Sequence, residues 1–228
     1  MEDIKSDQPA ERSRDIALVL LKSGLNAVPL VGGSIASLLD FVPTAHQQNL
    51  EKSVVLFCQR LTDLEHRIDV EAVSKEEFAE LFQTTAHIME RTHRDEKLQA
   101  AANILANLLL KPGDPAKSPY EELDHLIRCV DGLSIGAITV LGAIHNTLAK
   151  RPLGPNTDAI LFQHLRAALP QMRAALLRSL VSELEAFHLA TAQPLAIRGS
   201  GEEEYDGSHL RITPVGATLI ERFIEGHI

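Results

Sequence analysis

The stretch LSIGAITVLGAIHNTL, residues 133–148, opens the part of the chain whose reading decides the fold. It is an amphipathic helical run, and the Pro/Gly-rich break RPLGPN follows at 151–156. Two more helical runs come next, TDAILFQHLRAAL at 157–169 and PQMRAALLRSLVSELEAF at 170–187. The alternating segments PLAIR (194–198) and HLRI (209–212) then flank the loop GSGEEEYDGS, and TPVGATLIERFI ends the pattern at 213–224. Apolar residues thus recur at the helical period, switch to period two, and switch back. Helix, helix, helix, hairpin, helix is the order of a winged helix, a helix-turn-helix with a β-hairpin wing. The predicted fold class is all-α with one small β-hairpin. Residues 1–8 are expected to be disordered, 9–131 to form a multi-helix region, and 132–228 to form the winged helix.

Local signals place the pieces of that last third. Asn156, Thr157 and Asp158 supply an N-cap for the second helix, and Pro170 suits the first turn of the third. In the hairpin, Leu195 and Ile197 alternate with outward residues, as do Leu210 and Ile212. Thr213-Pro214 caps and opens the final helix, which is expected to bury Val215, Leu219, Ile220 and Phe223.

Upstream, Pro9 opens a first helix with an apolar end at Ile16–Leu21. GLNAVPLVGGSIASLLDFVP follows, with 17 uncharged residues between Lys22 and Asp40. That barely reaches the ~17–25 residues of a membrane span. Pro29, Gly32 and Gly33 break it in the middle, so the run from Leu25 to Leu39 is expected to form a turn and a buried short helix. The alternative is a membrane hairpin hinged at Pro29, Gly32 and Gly33. From Leu50 an apolar seam runs through Val54, Phe57, Leu61, Leu64 and Ile68, a heptad spacing suited to packing along another helix. Ser74 to Glu77 reads as a capping box for a helix that buries Phe78, Leu81, Phe82, Thr85, Ile88 and Met89. The next helix, from about Arg94, presents Leu98, Ala101, Ala102, Leu105, Leu108 and Leu109. KPGDPAKSP breaks the chain, and Ser118 to Glu121 reads as a second capping box. Leu123, Leu126, Ile127 and Val130 face inward from the helix it opens, and Gly132 fits that helix's C-terminal cap.

Composition narrows the function. The 228 residues are 45% hydrophobic and 23% charged, aromatic residues make up 4%, and there is no Trp. Leu, Ala and Ile carry the apolar load, which favours helix-on-helix packing. The net charge is −9; residues 1–149 hold 14 basic and 22 acidic side chains, and residues 150–228 hold 8 and 9. Neither part shows the basic excess of a nucleic-acid polyelectrolyte binder. Cys58 and Cys129 lie in apolar helical patterns and read as small core residues of a reducing compartment. The opening MEDIKSDQPAERSRD has no secretory pattern, which places the chain in the cytoplasm.

No phosphate loop, nucleophile elbow or zinc-protease signature is present, so the expectation is a non-enzyme with no cofactor and no metal. Gly32-Gly33 lacks the lysine and the hydroxyl residue of a phosphate cradle. His125 and Cys129 share a helix face, but zinc needs three or four ligands and no further pair completes them. His87 and His93 lie six apart across a helix end. The acidic run Glu202, Glu203, Glu204, Tyr205 and Asp206 reads as a solvated wing tip.

Several segments together carry a resemblance. AVPLVGG, RIDVEAVSKEEFAELF, THRDEKLQAAANILANLLL and LSIGAITVL resemble the abortive-infection alpha family of bacterial helical proteins. The likeness covers roughly residues 25–145. It implies a bacterial cytosolic protein in phage defence and transfers no functional residue. Separately, LVSELEAFHLA and RITPVGATLI are similar to MarR-like winged helices, with Ile212-Thr213-Pro214-Val215-Gly216 matching their Leu-Thr-x-x-Gly step. The acidic wing departs from the basic wing tips of such regulators.

The candidate surface lies on the third helix of the winged-helix pattern. On a helical wheel Leu176, Leu177, Leu180, Leu184 and Phe187 form a buried sector. Gln171, Ala175, Arg178, Ser179, Ser182 and Ala186 lie opposite, with Arg198 in the wing. A DNA-reading face would carry more Arg, Lys, Asn or Gln to reach base edges. Glu183, Glu185 and the acidic wing would repel phosphates. Ala175, Ser179, Ser182 and Ala186, spaced 4, 3, 4, suit close packing of another helix. The expected partner is therefore protein, a homodimer or a separate chain. DNA-binding regulation and a membrane-active toxin built on Leu25 to Leu39 are the alternatives.

Overall fold

The structure, a computed structural model, describes residues 55–69, 72–92, 94–150, 159–193 and 207–225. They are predominantly helical, with a small three-stranded antiparallel sheet. The chain divides into two compact units between Asp131 and Gly132. The expected disordered N-terminus, the run from Leu25 to Leu39 with Pro29, Gly32 and Gly33, Leu50 and Val54 lie outside the described residues. So do His93, the Asn156–Asp158 cap, the segment 194–198 with Arg198, and the acidic wing tip.

In the first unit, residues 55–63 form α1, which buries Phe57 and Leu61; a 3-10 turn follows at Glu65–Arg67. Lys75–Arg91 is α2, Asp95–Leu108 is α3 and Tyr120–Gly132 is α4. The seam read from Leu50 stops being helical before Ile68, which is extended and bridges to Leu110. Cys58 is only half-buried, unlike the core residue expected of it. On α2, Phe78, Leu81, Phe82, Thr85 and Ile88 are buried, and the Phe78 and Phe82 rings stack at 6.0 Å. On α3 every residue from Ala100 to Leu108 is buried, as is Leu98. Its alanines let neighbours approach from all sides, so it is the axis of the unit. Full burial of each leucine side chain contributes about 1.5–3 kcal/mol.

Two polar devices hold the break at 109–118. Asn107, buried on α3, donates from Nδ2 to the Ala116 carbonyl (2.8 Å) and accepts the Ser118 backbone N–H at Oδ1 (2.9 Å). Arg67 makes two hydrogen bonds to Asp114 (2.9 and 2.7 Å), and Asp114 Oδ1 also accepts the Ala116 N–H (2.9 Å). These bonds hold the Asp114 carboxyl down at about 2, the Arg67 bond contributing most.

The capping expectations are corrected here. Ser74 Oγ does accept the Glu77 N–H, but the carboxylate that meets the serine is Glu76's. Ser118 is not a side-chain cap: its hydroxyl is buried without a hydrogen-bond partner. The Glu122 and Leu123 N–H groups instead go to the Pro119 carbonyl.

In the second unit, Ile135–Ala149 is α5, opened by Ser134 accepting the Ala137 N–H (3.1 Å). Ile160–Leu161 is β1, Phe162–Ala168 is α6 and Ala174–Ala186 is α7. Ala190–Gln193 is β2, His209–Ile212 is β3, Pro214–Thr218 is α8, and a π-helical turn at Leu219–Ile224 continues it. The sheet order is β1-β3-β2, both pairs antiparallel, with Ile160 opposite Leu210 and Ala190 opposite Ile212. Helix α5 packs on α6, α7 and β3.

Two sequence expectations change in this unit, and one strand is added to them. The run 157–169 is not one helix. Ile160 and Leu161 pair with β3 first, and His164 Nδ1 then accepts the Leu161 N–H (3.2 Å) where α6 begins. Helix α7 starts at Ala174 rather than Pro170. Proline keeps Leu169 out of the helical region (φ −126°, ψ 61°), and Met172 N–H closes a turn onto the Leu169 carbonyl. Ala190–Gln193 is a strand that the sequence reading did not place, its small side chains giving only a faint alternation, and the predicted strand at 194–198 lies outside the described residues.

Two glycines permit close approaches. Gly132 ends α4 without a left-handed conformation, so it is not the expected cap; an added Cβ would fall on the Phe187 ring. At Gly216 an added Cβ would strike the Leu189 carbonyl oxygen. Thr213 bonds to the same place, its N–H donating to the Leu189 carbonyl and its hydroxyl to the His188 carbonyl (2.8 Å). The Thr-x-x-Gly step is therefore a clasp between the hairpin and the end of α7.

Candidate functional site

Helix α7 buries one stripe, Leu177, Leu180, Val181 and Leu184. This corrects the predicted buried sector at both ends. Leu176 is 47% exposed and Phe187 half-buried, because burial centres on Leu177 and Val181, and Leu176 sits roughly 100° round the helix from its neighbour.

The opposite face is open. Ala175, Ser179, Ser182 and Ala186 are all exposed, beside Leu176. Gln171 is also exposed, but it stands in the turn before the helix and not on the ridge. Arg178 is half-buried, with Nε and Nη2 shielded from solvent, so it does not stand out as a base-reading side chain. Four of the predicted residues thus share one surface, while Gln171 and Arg178 do not join it.

The acids nearby face another task. Glu183 accepts the Ser134 hydroxyl at Oε2 (2.8 Å) and the Ser134 backbone N–H at Oε1. Glu185 Oε1 accepts the Ala192 N–H (2.8 Å). Both carboxylates tie α7 to its own scaffold, one to the start of α5 and one to β2. Beside the charge they carry, they stitch the unit together.

Sequence reasoning missed a neighbouring cleft of about 470 Å³ where α6 turns into α7. Gln163 and Arg166 of α6 and Met172 and Arg173 of the turn are among its walls. The signal was the pair Arg166 and Arg173 flanking Pro170, hidden because a helix begun at Pro170 would carry Arg173 within its first turn.

Elsewhere, His145 on α5 contacts Glu221 (2.9 Å). His125 is exposed, and its Nε2 lies 3.5 Å from the buried Cys129 sulfur, whose thiol burial pushes up to about 11. A thiol so raised is a poor nucleophile and a poor metal ligand at neutral pH. His87 meets Arg91 (3.2 Å). Among the described residues no three His, Cys, Asp or Glu side chains are grouped to hold a metal, and no single helix is long and apolar enough to cross a membrane.

No family model matches the chain, and neither a curated protein nor a solved structure matches it.

Proposed function

We propose that the second unit is a winged helix acting as a non-catalytic protein-interaction module, with the open face of α7 as its docking surface. The observation that carries this reading is the exposed ridge of Ala175, Ser179, Ser182 and Ala186 beside the exposed Leu176. Small residues at helical spacing let a second helix axis come within roughly 8–10 Å, and Leu176 adds apolar area at its margin. The partner is a helix from another protein or from a second copy of the chain. The resemblance to the abortive-infection alpha proteins extends this to a bacterial cytosolic role in phage defence.

The test is association of the full chain, alone by sedimentation velocity and with cellular proteins by photocrosslinking from position 179. Ser179→Arg with Ser182→Arg should abolish the association and leave the circular dichroism unchanged. A chain that stays monomeric at every concentration and crosslinks to nothing from that position removes the reading.

DNA binding is the second reading, favoured by Arg166 and Arg173, which are both exposed where α6 turns into α7. Polarisation titration against genomic fragments near about 100 mM salt tests it, since phosphate contacts dominate affinity and weaken with salt. Submicromolar binding lost in Arg173→Glu would reverse the ranking.

A further inference from the structure

The pairing of the three-stranded sheet shows which backbone groups of its outer strands face away from it. Beside β2, the Thr213 N–H donates to the Leu189 carbonyl, while Ala190 stands opposite Ile212 and Ala192 opposite Leu210. Antiparallel pairing alternates, residue by residue, between groups turned to the partner strand and groups turned away. Thr191 and Gln193 therefore bond towards β3, and Ala190 and Ala192 turn their N–H and carbonyl groups outward. No described strand lies beyond β2.

Outward groups on an outer strand are a template for another strand, and natural sheets carry devices that block them. Strand β2 is Ala-Thr-Ala-Gln and holds neither a charge nor a proline, so any block has to come from outside it. Ala190 is buried, which leaves Ala192 as the outward donor within reach. Its N–H is taken: Glu185 Oε1, from the last turn of α7, accepts it at 2.8 Å. The other outer strand repeats the device. The Phe162 N–H donates to the Ser208 carbonyl and Ile160 stands opposite Leu210, so Leu161 turns outward, and His164 Nδ1 accepts its N–H at 3.2 Å. Each outer strand thus has an outward donor bonded to a side chain of its adjoining helix.

We infer that the Glu185 carboxylate guards the β2 edge against pairing with the β2 edge of a second copy of the chain. Two effects act together. The bond to Ala192 occupies the donor that an incoming strand needs, and a charged acceptor holds it more strongly than the neutral carbonyl of that strand would. Two-fold antiparallel pairing of β2 with itself would also bring both Glu185 carboxylates to one interface, where like charges oppose association.

The inference stands apart from the docking proposal, because it concerns β2 and not the ridge. Its test uses the full chain in a Ser179→Arg, Ser182→Arg background, so that association through the ridge is removed. Glu185→Ala should self-associate about tenfold or more tightly than its parent by sedimentation velocity, the scale of one charge-assisted hydrogen bond. At concentrations where that variant is monomeric, hydrogen exchange at the Ala192 N–H should speed up by a similar factor. Adding Thr191→Lys, a charge at an exposed position of the same strand, should return the variant to its parent's behaviour. Glu185→Gln keeps an acceptor oxygen and loses the charge, so it should associate more than the parent and less than the alanine variant. If the alanine variant loses its circular dichroism, the glutamine variant carries the test. Unchanged exchange at Ala192 in the alanine variant, or association no tighter than the parent's in whichever variant folds, overturns the proposal. Association that persists with Thr191→Lys overturns the edge-to-edge assignment and places the contact elsewhere.

Discussion

Helices α3 and α7 are almost equal in length, 14 and 13 residues, and both are rich in leucine and alanine. Their surroundings are opposite. Helix α3 is enclosed on every side beyond its first turn, and its two asparagines are satisfied within the unit. Helix α7 is enclosed along one stripe only, and its acids are engaged while its small residues stand in solvent. A helix enclosed all round has spent its surface on stability. A helix left open on one face keeps surface for a partner, which is why the functional proposals concern α7.

Truncation should expose that contrast most sharply. Leu105→Ala on α3 removes a fully buried side chain and should cost about 2–5 kcal/mol, measured by urea unfolding of the first unit's transition. Leu176→Ala on α7 should cost less than about 0.5 kcal/mol. Equal costs would mean that the α7 face is already covered in the isolated chain, and the docking proposal would fail.

The next effect probes how α7 is tied to its hairpin. Gly216→Ala places a methyl against the Leu189 carbonyl, a backbone atom with little room to move. A loss of about 1–3 kcal/mol is expected in the melting of the second unit, with α3 and its neighbours unaffected. Wild-type stability in this variant would show that the clasp has slack.

A smaller effect depends on pH and belongs to the first unit. Asp114 has its pKa lowered from an ordinary 3.8 to about 2 by Arg67 and the Ala116 N–H. A depressed carboxyl contributes stability that is present above the unfolded value and is lost as pH falls through about 4 towards 2. Asp114→Asn should therefore be less stable than wild type at neutral pH, and the gap should narrow over that acid range. Parallel stability curves from pH 6 to 2 would show that the ion pair contributes nothing.

Smallest of all is the stability effect of Ser179→Arg with Ser182→Arg on the open ridge, expected within about 0.5 kcal/mol per site, although the same pair should abolish association. A large stability loss here would place the ridge inside the fold.

Much of this was legible beforehand, for reasons that can be named. Helices α2, α3 and α4 carry long apolar periodicities, and Ser74 and Thr213 stand where a capping hydroxyl is needed. Strand β1 was not legible, since Ile160 and Leu161 sit inside a run with helical spacing and become a strand only because β3 lies beside them. Strand β2 is four small or polar residues, too plain to stand out. The α7 ridge was visible as a spacing of alanine and serine, whereas the roles of Glu183 and Glu185 were not, because the groups that donate to them, on Ser134 and Ala192, lie 49 and 7 residues away.

The sequence by itself determined the helical character of the chain, the positions of most breaks, and the small-residue face of α7. These follow from local periodicity and from proline and capping chemistry, which act over a few residues. Only the tertiary structure decided that α3 is central, that Ile160 joins a sheet, that the α7 acids turn to the scaffold, and that Arg166 and Arg173 share a cleft. Each of those depends on which distant groups meet. Burial and electrostatics are properties of that meeting, and no short window of sequence contains it.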